Sequence, residues 1–195
     1  MKETRLSTIK AELRADEAAA SESLILWGQP ILYDTPTTIH DPAGDYIEII
    51  KRGALEGADL SDVRLLYNHD TNKIPLARAP KTMELKKGTA GLELTATLPD
   101  TQEARAVYEA VKRGDLDGMS FCFTVPEGGD SYDPKTNTRT ITKIAKVYEC
   151  SVVVFPAYPQ TSVEARTART ESLKNYKARQ NAKILCNKIL LKSEV

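Results

Sequence analysis

The sequence predicts a mainly β fold with flanking helices, an α+β domain, and three observations support this. Short β-branched and aromatic runs alternate with Pro, Gly and Asp breaks, which is typical of strands joined by turns. One segment combines helical periodicity with start and stop signals. The length of 195 residues fits one compact domain plus terminal segments, because one core commonly takes about 100 to 200 residues.

The strands are predicted from apolar and alternating runs between turn residues, and antiparallel pairing is the simplest arrangement for them. In chain order they are residues 23–33, 45–50, 63–67, 82–86, 92–98 and 119–125, followed by one bent strand or two consecutive strands in 139–155. Residues 52–60 are predicted to form a short helical turn, and Lys87-Gly88 to close a hairpin. The result is a β-rich barrel or sandwich.

One helix is specified by its own sequence. Asp100 and Glu103 form a capping-box-like start, and Gly114 provides a stop after the basic pair Lys112-Arg113. The residues at buried-stripe spacing are Ala104, Val107, Tyr108 and Val111. We therefore expect this helix to pack on a sheet.

Charge divides the chain into three parts. Residues 1–22 carry four basic and five acidic groups and are predicted to form a polar arm, with a helix as one option. Residues 23–166 form the predicted domain. The C-terminal stretch 164–195 carries eight basic and three acidic groups, and residues 167–195 are predicted to be a basic helix or tail, either a docking element or a solubilising terminus.

Composition argues against several classes of protein. The 27 basic and 27 acidic residues balance, so no overall field attracts nucleic acid or acidic lipid. No apolar run approaches the roughly 20 residues that cross a bilayer, and the N-terminus carries acids where a secretory signal is apolar. Three widely spaced cysteines indicate a reducing, cytoplasmic setting without a disulfide framework, and no cofactor is predicted.

Three residues are candidates for chemistry. His69 ends an apolar strand, where a side chain can face a cleft, although such a histidine is more often a surface or capping residue. Ser120 follows Gly118 and lies on the small polar face of its strand, where serine is commonly unremarkable. Glu149 interrupts an apolar strand, so its carboxylate must be exposed, protonated or paired, with His69 or with Lys146 or Arg139 as partners.

Together these residues supply the roles of a hydrolytic triad: Ser120 as nucleophile, His69 as general base and Glu149 as the acid that orients the ring. Two other chemistries stay open. Cys122 with His69 would give thiolate catalysis, although burial would make the thiol less reactive. The pairs His40-Asp41 and His69-Asp70 would give a mixed metal site, although no metal-binding motif is present.

Three separated blocks carry a resemblance to a known family. They are Leu66-Tyr67-Asn68-His69-Asp70, Asp117-Gly118-Met119-Ser120-Phe121, and Glu149-Cys150-Ser151 leading to Phe155-Pro156. In this order and spacing the chain resembles the prohead (procapsid maturation) serine proteases of tailed bacteriophages, from about residue 24 to 166. That family is similar in fold to the herpesvirus capsid-maturation protease, which implies a closed antiparallel β-barrel surrounded by helices.

The resemblance implies catalytic roles for His69, Ser120 and Glu149, with Arg78 as a weaker match to a basic position that faces the scissile carbonyl. It implies a phage endopeptidase that works inside the assembling procapsid in the host-cell cytoplasm. Its substrates would be scaffold protein, major capsid protein and the enzyme itself by autocleavage, and a homo-oligomer is allowed. The alternative is a non-enzymatic capsid-assembly module that binds scaffold or shell proteins through the same fold.

Overall fold

The computed structural model describes residues 2–10, 24–41 and 44–154, and within them the chain forms twelve strands and one helix. The strands are β1 (Lys2–Lys10), β2 (Leu24–Leu32), β3 (Thr37–Ile39), β4 (Tyr46–Ile50), β5 (Arg64–Tyr67), β6 (Ala77–Arg78), β7 (Met83–Lys87), β8 (Gly91–Leu98), β9 (Gly118–Thr124), β10 (Asp130–Asp133), β11 (Thr138–Ile141) and β12 (Lys146–Val153). The helix α1 spans Gln102–Arg113. The predicted C-terminal helix or tail, residues 167–195, lies outside the described residues.

The helix α1 is confirmed, with one correction at its start. Thr101, and not Asp100, is the N-cap, because its hydroxyl accepts the backbone N–H of Ala104 at 3.3 Å. Gly114 ends the helix in the left-handed conformation with φ of 81°. The buried side chains of α1 are those of the predicted stripe, so the helical period was sufficient to identify its buried face.

Two other segments depart from the helical interpretation of their sequence. Residues 2–10 form a strand and not a helix, because the backbone of β1 pairs antiparallel with the edge that β9 offers. Residues 52–60 form successive turns with i to i+3 bonds and no helix, and Gly53 at φ of 88° interrupts the right-handed path that a helix needs. The loop after β9 also contains a strand, β10, which pairs with β11 and was not predicted.

The strands form three sheets among the described residues. Their orders are β1-β9-β12-β5-β6, β10-β11-β4-β3 and β2-β8-β7. The predicted hairpin is confirmed as β7 and β8, and of the two alternatives for the segment after residue 138 the structure has two strands, β11 and β12. Pairing is mostly antiparallel, but β12 pairs with β5 and β11 with β4 in parallel, which long connections between the paired strands permit.

The mainly β class with a helix is confirmed, whereas the closed barrel is not: in the part of the chain that the structure describes, no sheet closes on itself. Buried apolar side chains from all three sheets and α1 join one hydrophobic cluster. Its members include Leu26 (β2), Ile50 (β4), Leu65 (β5), Leu94 (β8), Val107 (α1), Phe121 (β9) and Val152 (β12). This core supports the sheet that carries the candidate site. Among the residues described, no helix is both long and apolar enough to cross a bilayer.

A buried charge cluster joins strands of the second sheet. The side chain of Arg139 in β11 is only 2% exposed and lies opposite Glu48 of β4. Its Nη1 donates to Glu48 Oε2 at 3.1 Å, and its Nε donates to Asp130 Oδ2 at 2.7 Å. The guanidinium therefore compensates two carboxylates that are themselves largely removed from water.

We predict that Arg139→Leu lowers the free energy of unfolding by about 3–5 kcal/mol, because it leaves the Glu48 carboxylate buried without its counter-charge. Urea denaturation followed by circular dichroism measures the loss. The matched control is Lys51→Met, which removes the half-exposed Lys51–Asp34 pair and is expected to cost about 1 kcal/mol or less. Equal losses in the two variants would contradict the prediction.

Candidate active site

The candidate site lies on three adjacent strands of the first sheet, in the order β9-β12-β5. Ser120 of β9 is opposite Ser151 of β12, and Ser151 is opposite Leu66 of β5. Glu149 precedes Ser151 by two positions and is opposite Cys122. Directly paired residues share a sheet face, as do residues two apart in a strand. Ser120, Cys122, Glu149 and Ser151 therefore lie on one face, away from Phe121 and Phe123.

A β-bulge in β12 makes this arrangement possible. Val147 is opposite Phe123 but Glu149 is opposite Cys122, so β12 contains one residue more than β9 at this point. With regular pairing, Tyr148 would be opposite Cys122, and Glu149 would be opposite Phe121 on the core face. The bulge thus moves the carboxylate from the apolar core to the face that carries Ser120.

The turn after β5 aims His69 at that face. Asn68 and His69 adopt left-handed backbone conformations, with φ of 50° and 58°, which is unusual outside glycine and tolerated best by Asn, Asp and His. The backbone N–H of Asn68 donates to Val152 O at 2.9 Å, and its side-chain Oδ1 accepts the N–H of Val154 at 3.1 Å. Both contacts fix the turn to β12.

His69 and Glu149 form a direct hydrogen bond. Their Nδ1 and Oε1 atoms are 2.7 Å apart, with side chains that are 27% and 10% exposed. An ionised carboxylate only accepts, so the contact requires a proton on Nδ1, which in the neutral ring leaves Nε2 as the basic nitrogen. Nε2 is buried and has no hydrogen-bond partner among the residues described. The pairing is the one a general base needs.

Ser151 connects this pair to the backbone. Its buried hydroxyl donates to Glu149 Oε2 at 2.6 Å and accepts the backbone N–H of His69 at 3.2 Å. Both oxygens of the Glu149 carboxylate therefore have partners, which offsets the cost of burying its charge. One hydroxyl ties the position of the carboxylate to that of the histidine backbone.

Ser120 lies on the strand next to that of Glu149, and its hydroxyl is not hydrogen-bonded to His69 Nε2. Its strand is adjacent to that of Glu149, on the shared face, and its side chain is fully buried. Because Nε2 has no hydrogen-bond partner in the described part of the chain, the bond from the Ser120 hydroxyl to the imidazole is not formed. Of the three predicted residues, the structure brings two into contact and places the third on the neighbouring strand.

The alternative partners predicted for Glu149 are bound elsewhere. Lys146 Nζ contacts Asp59 Oδ2 at 2.7 Å, and this hydrogen bond raises the pKa of Lys146 and holds the pKa of the Asp59 carboxyl well below its usual range. Arg139 belongs to the buried cluster with Glu48. Glu149 is thus committed to His69 and Ser151.

The other predicted chemistries find less support. His40 Nδ1 contacts Asp45 Oδ2 at 2.9 Å and does not join His69, and among the residues described no group of three or more His, Cys, Asp or Glu side chains could hold a metal ion. Cys122 shares the face of Glu149, and the Glu149 carboxylate occupies the Nδ1 of His69. Arg78, the weakest match among the site residues that the resemblance implies, donates from Nε to Asp62 Oδ1 at 2.7 Å. This hydrogen bond lowers the pKa of the Asp62 carboxyl.

Sequence reasoning missed Ser151 and the bulge as parts of the site. The signal for Ser151 was a second polar residue two positions after Glu149 in an otherwise apolar strand. The signal for the bulge was a change of parity, because core positions fall at Val147 and then at Cys150 and Val152. Burial raises the pKa of the Cys150 thiol well above its usual value, as expected on the core face.

A histidine ring held by a buried carboxylate, on a sheet face that also carries a serine, is the residue set of a serine hydrolase. Residues 9–178, most of the chain, match the family described as caudovirus prohead serine protease. The chain belongs to this family, which confirms the resemblance seen in the sequence and implies a serine protease of phage procapsid maturation with capsid-related substrates. The chain matches no curated protein and no solved structure.

We predict that His69 carries its proton on Nδ1 when neutral, and that Glu149→Ala removes this preference because the carboxylate that accepts the proton is lost. Long-range ¹H–¹⁵N NMR spectra distinguish the two tautomers. His40 serves as the internal reference, since its bond to Asp45 does not involve Glu149. An Nε2-protonated His69 in the unsubstituted protein would contradict the assignment.

We also predict that Ser151→Ala lowers the free energy of unfolding by about 1–3 kcal/mol, because Glu149 Oε2 and the His69 N–H lose a buried partner. Urea denaturation gives the value. Ser131→Ala, at an exposed strand position, is the matched control and should change stability by less than about 0.5 kcal/mol. A Ser151→Ala variant as stable as the control would show that the bridge contributes nothing.

Proposed function

We propose that this protein is a serine endopeptidase in which Ser120 is the nucleophile, His69 the general base and Glu149 the residue that orients the imidazole. The observation that carries the proposal is the 2.7 Å contact between His69 Nδ1 and Glu149 Oε1, on the sheet face shared with Ser120. Family membership supports the same reaction class.

In the proposed reaction, Ser120 Oγ attacks the peptide carbonyl while His69 Nε2 takes the hydroxyl proton. The imidazolium that forms is stabilised by the Glu149 carboxylate and returns the proton to the leaving amine, which breaks the C–N bond and leaves an acyl-enzyme. Water, deprotonated by His69, then hydrolyses the ester and restores Ser120. The sequence of proton transfers needs Nε2 to be basic at the start, as the Nδ1 contact favours.

The proposal requires the Ser120 hydroxyl to reach His69 Nε2. Their strands are separated only by β12, and register places Ser120 on the face toward which His69 turns. Rotation of a serine side chain between staggered positions moves its oxygen without moving the backbone. Catalytic hydrogen bonds often tighten only when substrate is bound, so the open arrangement is compatible with the mechanism.

The proposed substrates are scaffold protein and major capsid protein, with the enzyme itself as a further substrate, inside the procapsid as it assembles in the host-cell cytoplasm. Homo-oligomers are compatible with this role. We propose that residues 23–166 form the protease domain and that residues 167–195 form a basic helix or tail, either a docking element or a solubilising terminus. The closed barrel of the herpesvirus-protease type belongs to the same proposal, supported by the one hydrophobic cluster that the three sheets share.

A second candidate, a capsid-assembly module without enzymatic activity, is favoured by one observation. Ser120 is fully buried, and a peptide carbonyl can approach the hydroxyl only when the contacts that cover it open. In such a module, the bonds among His69, Glu149 and Ser151 would serve stability alone. Chemical reactivity of Ser120 therefore separates the two candidates.

We predict that an alkyl fluorophosphonate adds covalently to Ser120 in the folded full-length chain, and that peptide-bond cleavage falls by roughly 10⁴-fold or more in Ser120→Ala and His69→Ala. Glu149→Gln should lose about 10⁴-fold, because an amide does not hold the same tautomer. Intact mass spectrometry detects the adduct, and timed gels of capsid and scaffold protein measure cleavage.

Ser131→Ala and Cys122→Ala are the matched controls, the first for a serine outside the site and the second for thiolate chemistry. Both should keep labelling and cleavage. If Ser120 is not labelled in the unsubstituted, folded protein, the assembly module is favoured. If Cys122→Ala loses activity and Ser120→Ala does not, the nucleophile is the Cys122 thiol and not the Ser120 hydroxyl.

A further inference from the structure

An apolar cavity lies beside the turn that carries the candidate catalytic histidine. Its volume is about 190 Å³, and its wall comes from the end of β5, the loop that follows His69, and one side of α1. The apolar side chains that line it include Leu66, Val107, Ala110 and Leu116. Nothing in the assignment of the triad uses this cavity.

The cavity borders the turn that carries His69. Leu66, Tyr67 and Asp70, which line it, flank His69 along the chain. Leu66 is opposite Ser151 in the sheet, so it lies on the face that carries Ser120 and Glu149. It is also buried outside the main hydrophobic cluster of the described residues. A group that occupies the cavity therefore lies beside the turn that carries His69.

The entrance of the cavity suits an extended chain that passes over it. Lys73 and Glu103 line the cavity and form a 2.5 Å ion pair, in which both side chains are about half exposed. The hydrogen bond to Glu103 raises the pKa of Lys73. Ile74 is 84% exposed and lines both this cavity and a second concavity at the start of α1, near Thr101. Exposed apolar surface of this kind, rimmed by charge, is typical of ligand-binding grooves.

We propose that this cavity binds a large apolar side chain of the peptide substrate, close to the scissile bond. The inference rests on the proposed function, because it identifies the substrate class of that same site. An engineered apolar cavity of roughly 150 Å³ holds a benzene-sized molecule, so leucine and phenylalanine side chains match the available volume. The second concavity, at the start of α1, accommodates neighbouring residues of the peptide. The largely apolar wall of the first cavity disfavours charged side chains.

The test compares the unsubstituted full-length chain with Ala106→Leu on a peptide library that varies the residues flanking the cleaved bond. Ala106 lines the cavity from an exposed position of α1, and leucine has nearly the helix propensity of alanine. The matched control is Glu109→Leu, also exposed on α1 but outside the cavity lining. Ala110→Leu narrows the cavity from a second, half-buried position.

We expect the unsubstituted protein to cleave peptides with leucine or phenylalanine at one flanking position about 10-fold or more faster, in kcat/KM, than peptides with alanine there. Ala106→Leu and Ala110→Leu should reduce this ratio to about threefold or less by slowing the large side chains, whereas Glu109→Leu should leave it unchanged. Mass spectrometry of the products gives both rates and cleavage positions.

Fluorophosphonate labelling of Ser120 in every variant separates the two proposals. If Ser120 is not labelled in the unsubstituted protein, the serine-protease assignment fails, and the pocket proposal fails with it. If Ser120 is labelled normally, three results would overturn the pocket proposal alone. Cleavage could show no preference for large apolar residues, or Ala106→Leu and Ala110→Leu could both preserve that preference. The third result is that no library peptide is cut.

Discussion

One β-bulge determines on which face of the five-stranded sheet Glu149 lies. Side chains alternate between faces along a strand, so an insertion of one residue exchanges the faces for every position that follows. In β12 this change occurs between Val147, which packs in the core, and Glu149, which lies on the same sheet face as Ser120. The bulge also allows Cys150 and Val152 to return to the core. The bulge thus allows one strand to contribute side chains both to the hydrophobic core and to the polar face of the sheet.

Once Glu149 lies on the polar face, its burial is tolerated because both carboxylate oxygens are bonded. His69 supplies one partner and Ser151 the other. A buried carboxylate without partners would cost several kcal/mol, far more than the net gain from an ordinary hydrogen bond. The same bonds hold the His69 turn in its left-handed conformation, since Ser151 also accepts the histidine backbone N–H. Stability and orientation of the imidazole therefore depend on the same few atoms.

Much of the fold could be predicted from local pattern, and the site only in part. The stripe of α1, the β7–β8 hairpin and the apolar strands follow from periodicity within a few residues, which is the information a sequence states directly. An electrostatic argument about one carboxylate in an apolar strand predicted that Glu149 needs a partner, but it left His69, Lys146 and Arg139 open as that partner. Bulge position, the strand β1 and the role of Ser151 depend on which distant segments pair, and no local pattern specifies that.

The parallel pairing of β12 with β5 has a consequence for when the site forms. His69 and Glu149 are 80 positions apart in the sequence. The strand β12 lies between β5 and β9 in the sheet, but along the chain it is the last of the twelve strands described. Long-range pairing of this kind is slow, because the chain must close a large loop before the contacts compensate for it. A growing polypeptide that has not yet reached residue 149 lacks the carboxylate altogether. During synthesis, assembly of the histidine–carboxylate pair must await nearly the whole of the described domain.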